Sequence, residues 1–151
     1  MRIALSAAAA LAALALGAQA SARESCTAGV KTTAGVTYRT FCGKAKATLH
    51  FGGKTYHFAG GSCDSTASAF TINLGTITLP PGKPKYRYFG ISVFTPKDGT
   101  FTNQAVGWQF PHGAHNALFH STIKLTGGRK HGTFKGTTLA DQKPGSGTFS
   151  C

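Results

Sequence analysis

Acidic residues are scarce in this chain. Four Asp and Glu stand against sixteen Lys and Arg in 151 residues, a formal net charge of +12 at pH 7. Hydrolysis of a sugar bond needs two carboxyl groups flanking it, and the four positions do not suggest such a pair. Glu24 lies on an N-terminal tail, Asp98 stands beside Gly99 in a turn, Asp141 sits in the turn "ADQKPG", and Asp64 follows a cysteine in an expected loop. Other signatures are missing altogether. No G-x-S-x-G sequence supplies a nucleophile elbow, and the order of Ser, His and Asp lends no support to a triad. No C-x-x-C spacing suggests a thiolate zinc site. Beyond the first two dozen residues no stretch repeats apolar residues at i, i+3, i+4 and i+7, so amphipathic helices are not expected. No second apolar run is long enough to span a membrane.

What is present begins with an export signal. "MRIALSAAAALAALALGAQASA" carries one Arg, an Ala/Leu run and small residues at its end, the pattern of a secretory signal peptide. Cleavage is expected after Ala22, ahead of "RESC", although an exit after Ala20 also satisfies the small-residue rule. Residues 1–22 are therefore read as the signal and residues 23–151 as one secreted β-domain. Loss of Arg2 leaves fifteen basic and four acidic residues. Cys26 comes too late after the small residues to be a lipid-modified cysteine.

Four cysteines, Cys26, Cys42, Cys63 and Cys151, all follow the signal, and an even count in an exported chain points to two disulfides. Three pairings are open. The simplest joins Cys26 to Cys42, which flank a compact segment, and Cys63 to Cys151, each at the end of a strand pattern.

The recurring period is two. In "KAKATLHF", Ala45, Ala47, Leu49 and Phe51 share one face and Lys44, Lys46, Thr48 and His50 the other. Gly52 and Gly53 then turn the chain into "KTYHFAGGSC", a hairpin. "SAFTINLGTITL" alternates through Phe70, Ile72 and Leu74, then slips phase, so either a bulge at Gly75 returns Ile77 and Leu79 to the core or the sheet is buried on both faces there, the bulge being the expectation. "PPGKP" is a loop. "KYRYFGISVF" reads as a strand, Asp98-Gly99 as a hairpin turn, "AVGWQF" as a strand burying Trp108, and "ALFHSTIKLT" as a strand burying Phe119, Ile123 and Leu125. "GTFKG" and the terminal "GTFSC" read as adjacent, similarly built strands. The expected fold is all-β: a single antiparallel β-sandwich or partly closed barrel of about eight to ten short strands.

"FGGKTYHFAGGSC", the strand "AFTINLG" and the terminal "GSGTFSC" together are similar to the LpqH-like secreted lipoprotein antigens of actinobacteria. The resemblance covers roughly Lys44 to Leu79 and the last few residues. It implies an exported, compact, β-rich protein with a disulfide to the chain end, and it brings no catalytic residues. The chain lacks that family's lipobox cysteine and acidic, Ser/Pro-rich spacer, so lipid anchoring is not carried over.

Two sets of side chains suggest binding. "GKPKYRYF" places Lys83, Lys85 and Arg87 at every second position, on one face of the expected strand, with Tyr86 and Tyr88 on the other. "GGRKHGTFKG" adds Arg129, Lys130 and Lys135. Such a surface attracts an anionic cell-wall polymer, an acidic polysaccharide, nucleic acid or lipid headgroups, and the aromatics can stack on rings. "HGAHNALFH" carries His112, His115 and His120, residues of the type that bind zinc or copper. No carboxylate follows in sequence to orient their rings, and no cofactor is expected. The sequence thus points to a secreted or envelope-associated, non-enzymatic domain that binds anionic ligands through a basic face. A ligand-free structural or antigen-like protein, and a His-based metal protein or hydrolase, are the alternatives.

Overall fold

The structure is a computed structural model that describes residues 25–94 and 97–151; the expected signal peptide lies outside the described residues. These form eleven strands. The hairpin expected around the paired glycines joins β3 (Ala45–Phe51) to β4 (Lys54–Ser65). Gly52 and Gly53 both take positive φ, +58° and +72°, as a two-residue turn matched to strand twist requires. Ala45, Ala47 and Leu49 are buried while Lys46 and His50 face water.

β5 (Phe70–Thr78), β6 (Tyr88–Val93), β8 (Ala105–Gln109), β9 (His115–Thr126), β10 (His131–Thr138) and β11 (Pro144–Ser150) complete the main sheet. Its order is β5-β4-β3-β11-β10-β9-β8-β6, and β6 pairs back onto β5. All neighbours are antiparallel. Of the two expected architectures the molecule is the barrel, closed with eight strands. Closure leaves no edge within the ring. Three short strands lie outside it. β1 (Gly29–Thr33) and β2 (Val36–Phe41) form a hairpin that attaches to the second half of β5, and β7 (Gly99–Thr102) pairs with the second half of β9.

Side chains fill the interior. Leu49, Phe70, Ile72, Leu74, Phe89, Trp108, Ile123 and Phe134 are almost completely buried, and Phe89 meets Phe58 and Phe134 at 5.3 and 5.2 Å between ring centres. The similar strands β10 and β11 are neighbours, as expected, and they interlock. Phe134 pairs with Gly147 and Phe149 with Gly132, and a Cβ on either glycine would collide with the facing ring. Each ring lies over the glycine opposite, which lets two aromatics share one narrow strand pair. Both disulfides have the simplest pairing, Cys26–Cys42 and Cys63–Cys151.

Five expectations are corrected. The chain from Lys83 to Arg87 is a loop, with strand β6 starting only at Tyr88; Pro80, Pro81 and Pro84 supply no amide donors for a ladder. Gly75 does bend β5, with φ +80°, but Ile77 and Leu79 stay half-buried and Thr78 is the residue that enters. Phe119 is 43% exposed, because β9 carries one extra residue: Thr122 pairs with Lys135, but Phe119 pairs with Thr137. Leu118 and Ser121 face inward instead. Asp98 does not turn a hairpin; its carboxylate accepts the backbone N–H groups of Gly128 and Arg129 at 2.9 and 2.6 Å. Asp64 lies within strand β4 rather than in a loop.

Candidate functional site

The best candidate site is the loop 79–87 and the barrel end it covers. Its foundation is Gln109, the last residue of β8, only 2% exposed. Past Gly75 the strands β5 and β6 diverge, and the Gln109 amide fills the gap as a strand would. It accepts the Thr78 N–H at 3.0 Å and donates to the Thr78 carbonyl at 3.1 Å. Its second amide hydrogen goes to His115 Nδ1 at 2.7 Å. Since that nitrogen must accept, the neutral ring of His115 carries its proton on Nε2. The Thr78 hydroxyl accepts the Lys85 N–H at 3.2 Å, and His112 N–H donates to the carbonyl of buried Pro84 at 3.0 Å. The loop is therefore tied down at its middle, and its basic side chains are what remains outside.

Two of those side chains, Lys85 and Arg87, rest on aromatic rings. The Arg87 guanidinium lies 5.0 Å from the centre of Phe58 and 5.8 Å from that of Phe110, beside Tyr56, which packs on Phe110 at 4.4 Å. Lys85 Nζ stands 6.0 Å over Tyr38, and Tyr86 meets Tyr38 edge-on at 5.3 Å. Each exposed cation–ring contact is worth about 0.5–1 kcal/mol. A ring holds a cation in place without cancelling its charge. No carboxylate of the described residues pairs with Lys83, Lys85 or Arg87. Asp141 is taken by Lys143 at 2.7 Å and by the Thr138 hydroxyl, and those hydrogen bonds pull its pKa down to about 2.

Not all the expected residues gather here. Tyr88 faces the outside of the sheet, against Phe41 at 6.0 Å, and donates to Asn73 Oδ1 at 2.7 Å. Arg129 and Lys130 lie at the other end of the barrel. Tyr88, the first residue of β6, pairs with Gln109, which pairs with His115 at the start of β9. The turn holding Arg129 and Lys130 follows the end of β9, twelve residues later, about 40 Å of strand away. The predicted basic residues therefore do not gather at one end of the barrel, and Lys135 lies between the two, in the middle of β10.

The histidines are also separated. His112 is in the loop after β8, His115 opens β9, and His120 sits on the extra residue of β9 with φ +48°. Among the described residues no three His, Cys, Asp or Glu side chains converge as metal ligands would. Sequence reading missed Tyr38, Arg39 and Phe41, although "VTYRTF" has the β-branched and aromatic content of a strand. It also missed the rings under Arg87, which come from β4 and from the residue just after β8. Set beside known protein families, curated proteins and solved structures, the chain has no match.

Proposed function

We propose that this is a secreted or cell-envelope-associated, non-enzymatic binding domain that takes an anionic polymer on the face made by Lys83, Lys85, Tyr86 and Arg87. One observation carries the reading: the cations of Lys85 and Arg87 are held over rings, with no described carboxylate to neutralise them. Positioned but uncompensated charge is what a phosphate- or carboxylate-bearing chain needs, and Tyr86 offers it a flat partner. Two disulfides fit an oxidising compartment, and no helix of the described residues is long and apolar enough to cross a membrane. The non-enzymatic reading is supported by the acids themselves, since Asp98 and Asp141 are committed to turns.

The test is binding of the purified protein to poly(glycerol phosphate), to heparin and to vesicles rich in anionic lipid, each followed as salt rises from about 50 to 200 mM. Affinity should fall with salt. Arg87→Ala and Lys85→Ala should each weaken binding and flatten the salt slope by about one. Arg129→Ala, at the far end, should change neither. Salt-insensitive binding, or an equal loss from Arg129→Ala, would overturn the assignment. Which of the three ligands binds tightest identifies the physiological class.

A further inference from the structure

A second concave region lies on the side of the barrel, away from the basic loop. A cleft of about 700 Å³ runs between the β1–β2 hairpin and the outward faces of β4 and β5, within the ~300–1,000 Å³ of small-molecule sites. Strand register builds its floor. Ser62 pairs with Asn73 and Asp64 with Thr71, so four polar side chains leave the sheet together on one face. One wall is the ring of Phe41, with the Arg39 guanidinium 5.0 Å above it. The other is the start of the hairpin, tied at its base by Cys26–Cys42.

The polar groups here are underused. Asp98 and Asp141 are fully engaged, but Asp64 accepts only the Ser62 hydroxyl, at 2.9 Å, and among the described residues no cation pairs with it. Asn73 uses its oxygen to accept from Tyr88, which leaves its amide nitrogen free to donate. Burial raises the Tyr88 pKa above the ordinary tyrosine value, against the pull of the nearby Arg39 charge, so this hydroxyl stays a donor.

We infer that this cleft binds a neutral glycan. A carboxylate takes two hydroxyl hydrogens, a carboxamide nitrogen gives two, and Arg39 and Thr71 add further partners, which matches the paired hydroxyls of a pyranose. The half-buried ring of Phe41, with Arg39 over it, borders the cleft as an apolar contact for such a sugar. A polyanion is disfavoured by Asp64 in the floor, and a small cation by Arg39 in the wall. The site is separate from the basic loop and does not depend on the reading given for it.

The experiment is an amide-shift titration of the purified, oxidised protein with cellotetraose, chitotetraose, maltotetraose and an α-1,6-mannotetraose. At least one should move the backbone amides of Ser62, Asp64, Thr71 and Asn73, with an affinity indifferent to salt. Asp64→Asn and Asn73→Ala should each weaken it about tenfold or more, the loss of one good hydrogen bond to a charged or buried group. Arg87→Ala should leave it unchanged. If a variant fails to keep the native spectrum, Thr71→Val replaces it. The inference is overturned if none of the four sugars moves these amides at millimolar concentration, if the affinity survives both substitutions, or if binding fades with salt like that of a polyanion.

Discussion

Gln109 is a polar side chain in an apolar interior, and its cost is met by complete pairing. Thr78, itself fully buried, has no strand partner for its N–H and carbonyl other than this amide. Gln109→Ala strands both groups, and each buried unsatisfied group costs about 1–3 kcal/mol. A loss of about 2–4 kcal/mol is expected in urea unfolding, more than surface substitutions give. Gln109→Glu separates shape from hydrogen bonding. An ionised carboxylate still accepts from Thr78 N–H but cannot donate to the carbonyl, while the protonated acid can do both. Burial raises the pKa of the acid in the folded state, so its stabilising contribution is present at low pH and lost as pH rises through that value. Relative to the parent protein at each pH, Gln109→Glu should be closer to normal at pH 4 than at pH 7. An equal deficit at both would mean that volume, rather than donor–acceptor matching, is what the site requires.

At the scale of the element, the bend of β5 decides where the second patch of side chains goes. β4 leaves β5 at Leu74, and β2 takes over at Gly75, which brings Arg39 and Phe41 beside Asn73. Gly75 has φ +80°, and a Cβ there would run into the Arg87 carbonyl. Gly53 has φ +72° with open space around it. The pair therefore divides conformational cost from collision. Gly53→Ala should cost about 1 kcal/mol for its left-handed backbone, and Gly75→Ala about 2–4 kcal/mol once displacement of the β6 backbone is added. Equal destabilisation in guanidinium melts would show that the contact with Arg87 is slack. The same elements show what a sequence reveals. β3 and β4 were legible because side chains alternate strictly and two glycines mark the turn. The β1–β2 hairpin was harder to read, because its turn places Ala34, a residue with no turn preference, at φ +49° ahead of Gly35. The extra residue in β9 leaves "ALFH" readable in either phase, so Phe119 was placed inside when Leu118 belongs there. "KPKYR" alternates like a strand, and only Pro84 argued for a loop. The cations of the candidate site were visible as charge. Their partners Phe58 and Phe110 were not, since only barrel closure brings β4 and the end of β8 to Arg87.

At the scale of the whole molecule, the two disulfides do different work because one belongs to the barrel and the other does not. β11, the last described strand in sequence, lies between β3 and β10; without it the ring is open. Cys151, just past β11, is bonded to Cys63 on β4, two strands away, and its N–H donates to the Lys130 carbonyl at 2.8 Å. The bridge crosses the start of β3 and closes 88 residues of chain, worth up to about 4–5 kcal/mol in the chain-entropy model. Cys26–Cys42 closes only 16 residues and ties a hairpin that hangs outside the ring, where opening exposes little core. Cys151→Ser should therefore lower the midpoint of the global unfolding transition and leave one titratable thiol at Cys63. Removal of Cys26 and Cys42 together should shift that midpoint much less, while amide exchange in β1 and β2 speeds up and the barrel strands keep their protection. Weakened glycan binding in the Cys26/Cys42 variant is the expected consequence, because Arg39 and Phe41 of the hairpin wall the side cleft. At the basic loop the loss should be confined to Lys85 and Tyr86, which rest on Tyr38 of the same strand, and spare Arg87, which rests on Phe58 and Phe110. Should both variants lose the same stability and exchange uniformly, the hairpin would be part of the cooperative fold, and the separation of frame from appendage drawn from strand order would be wrong.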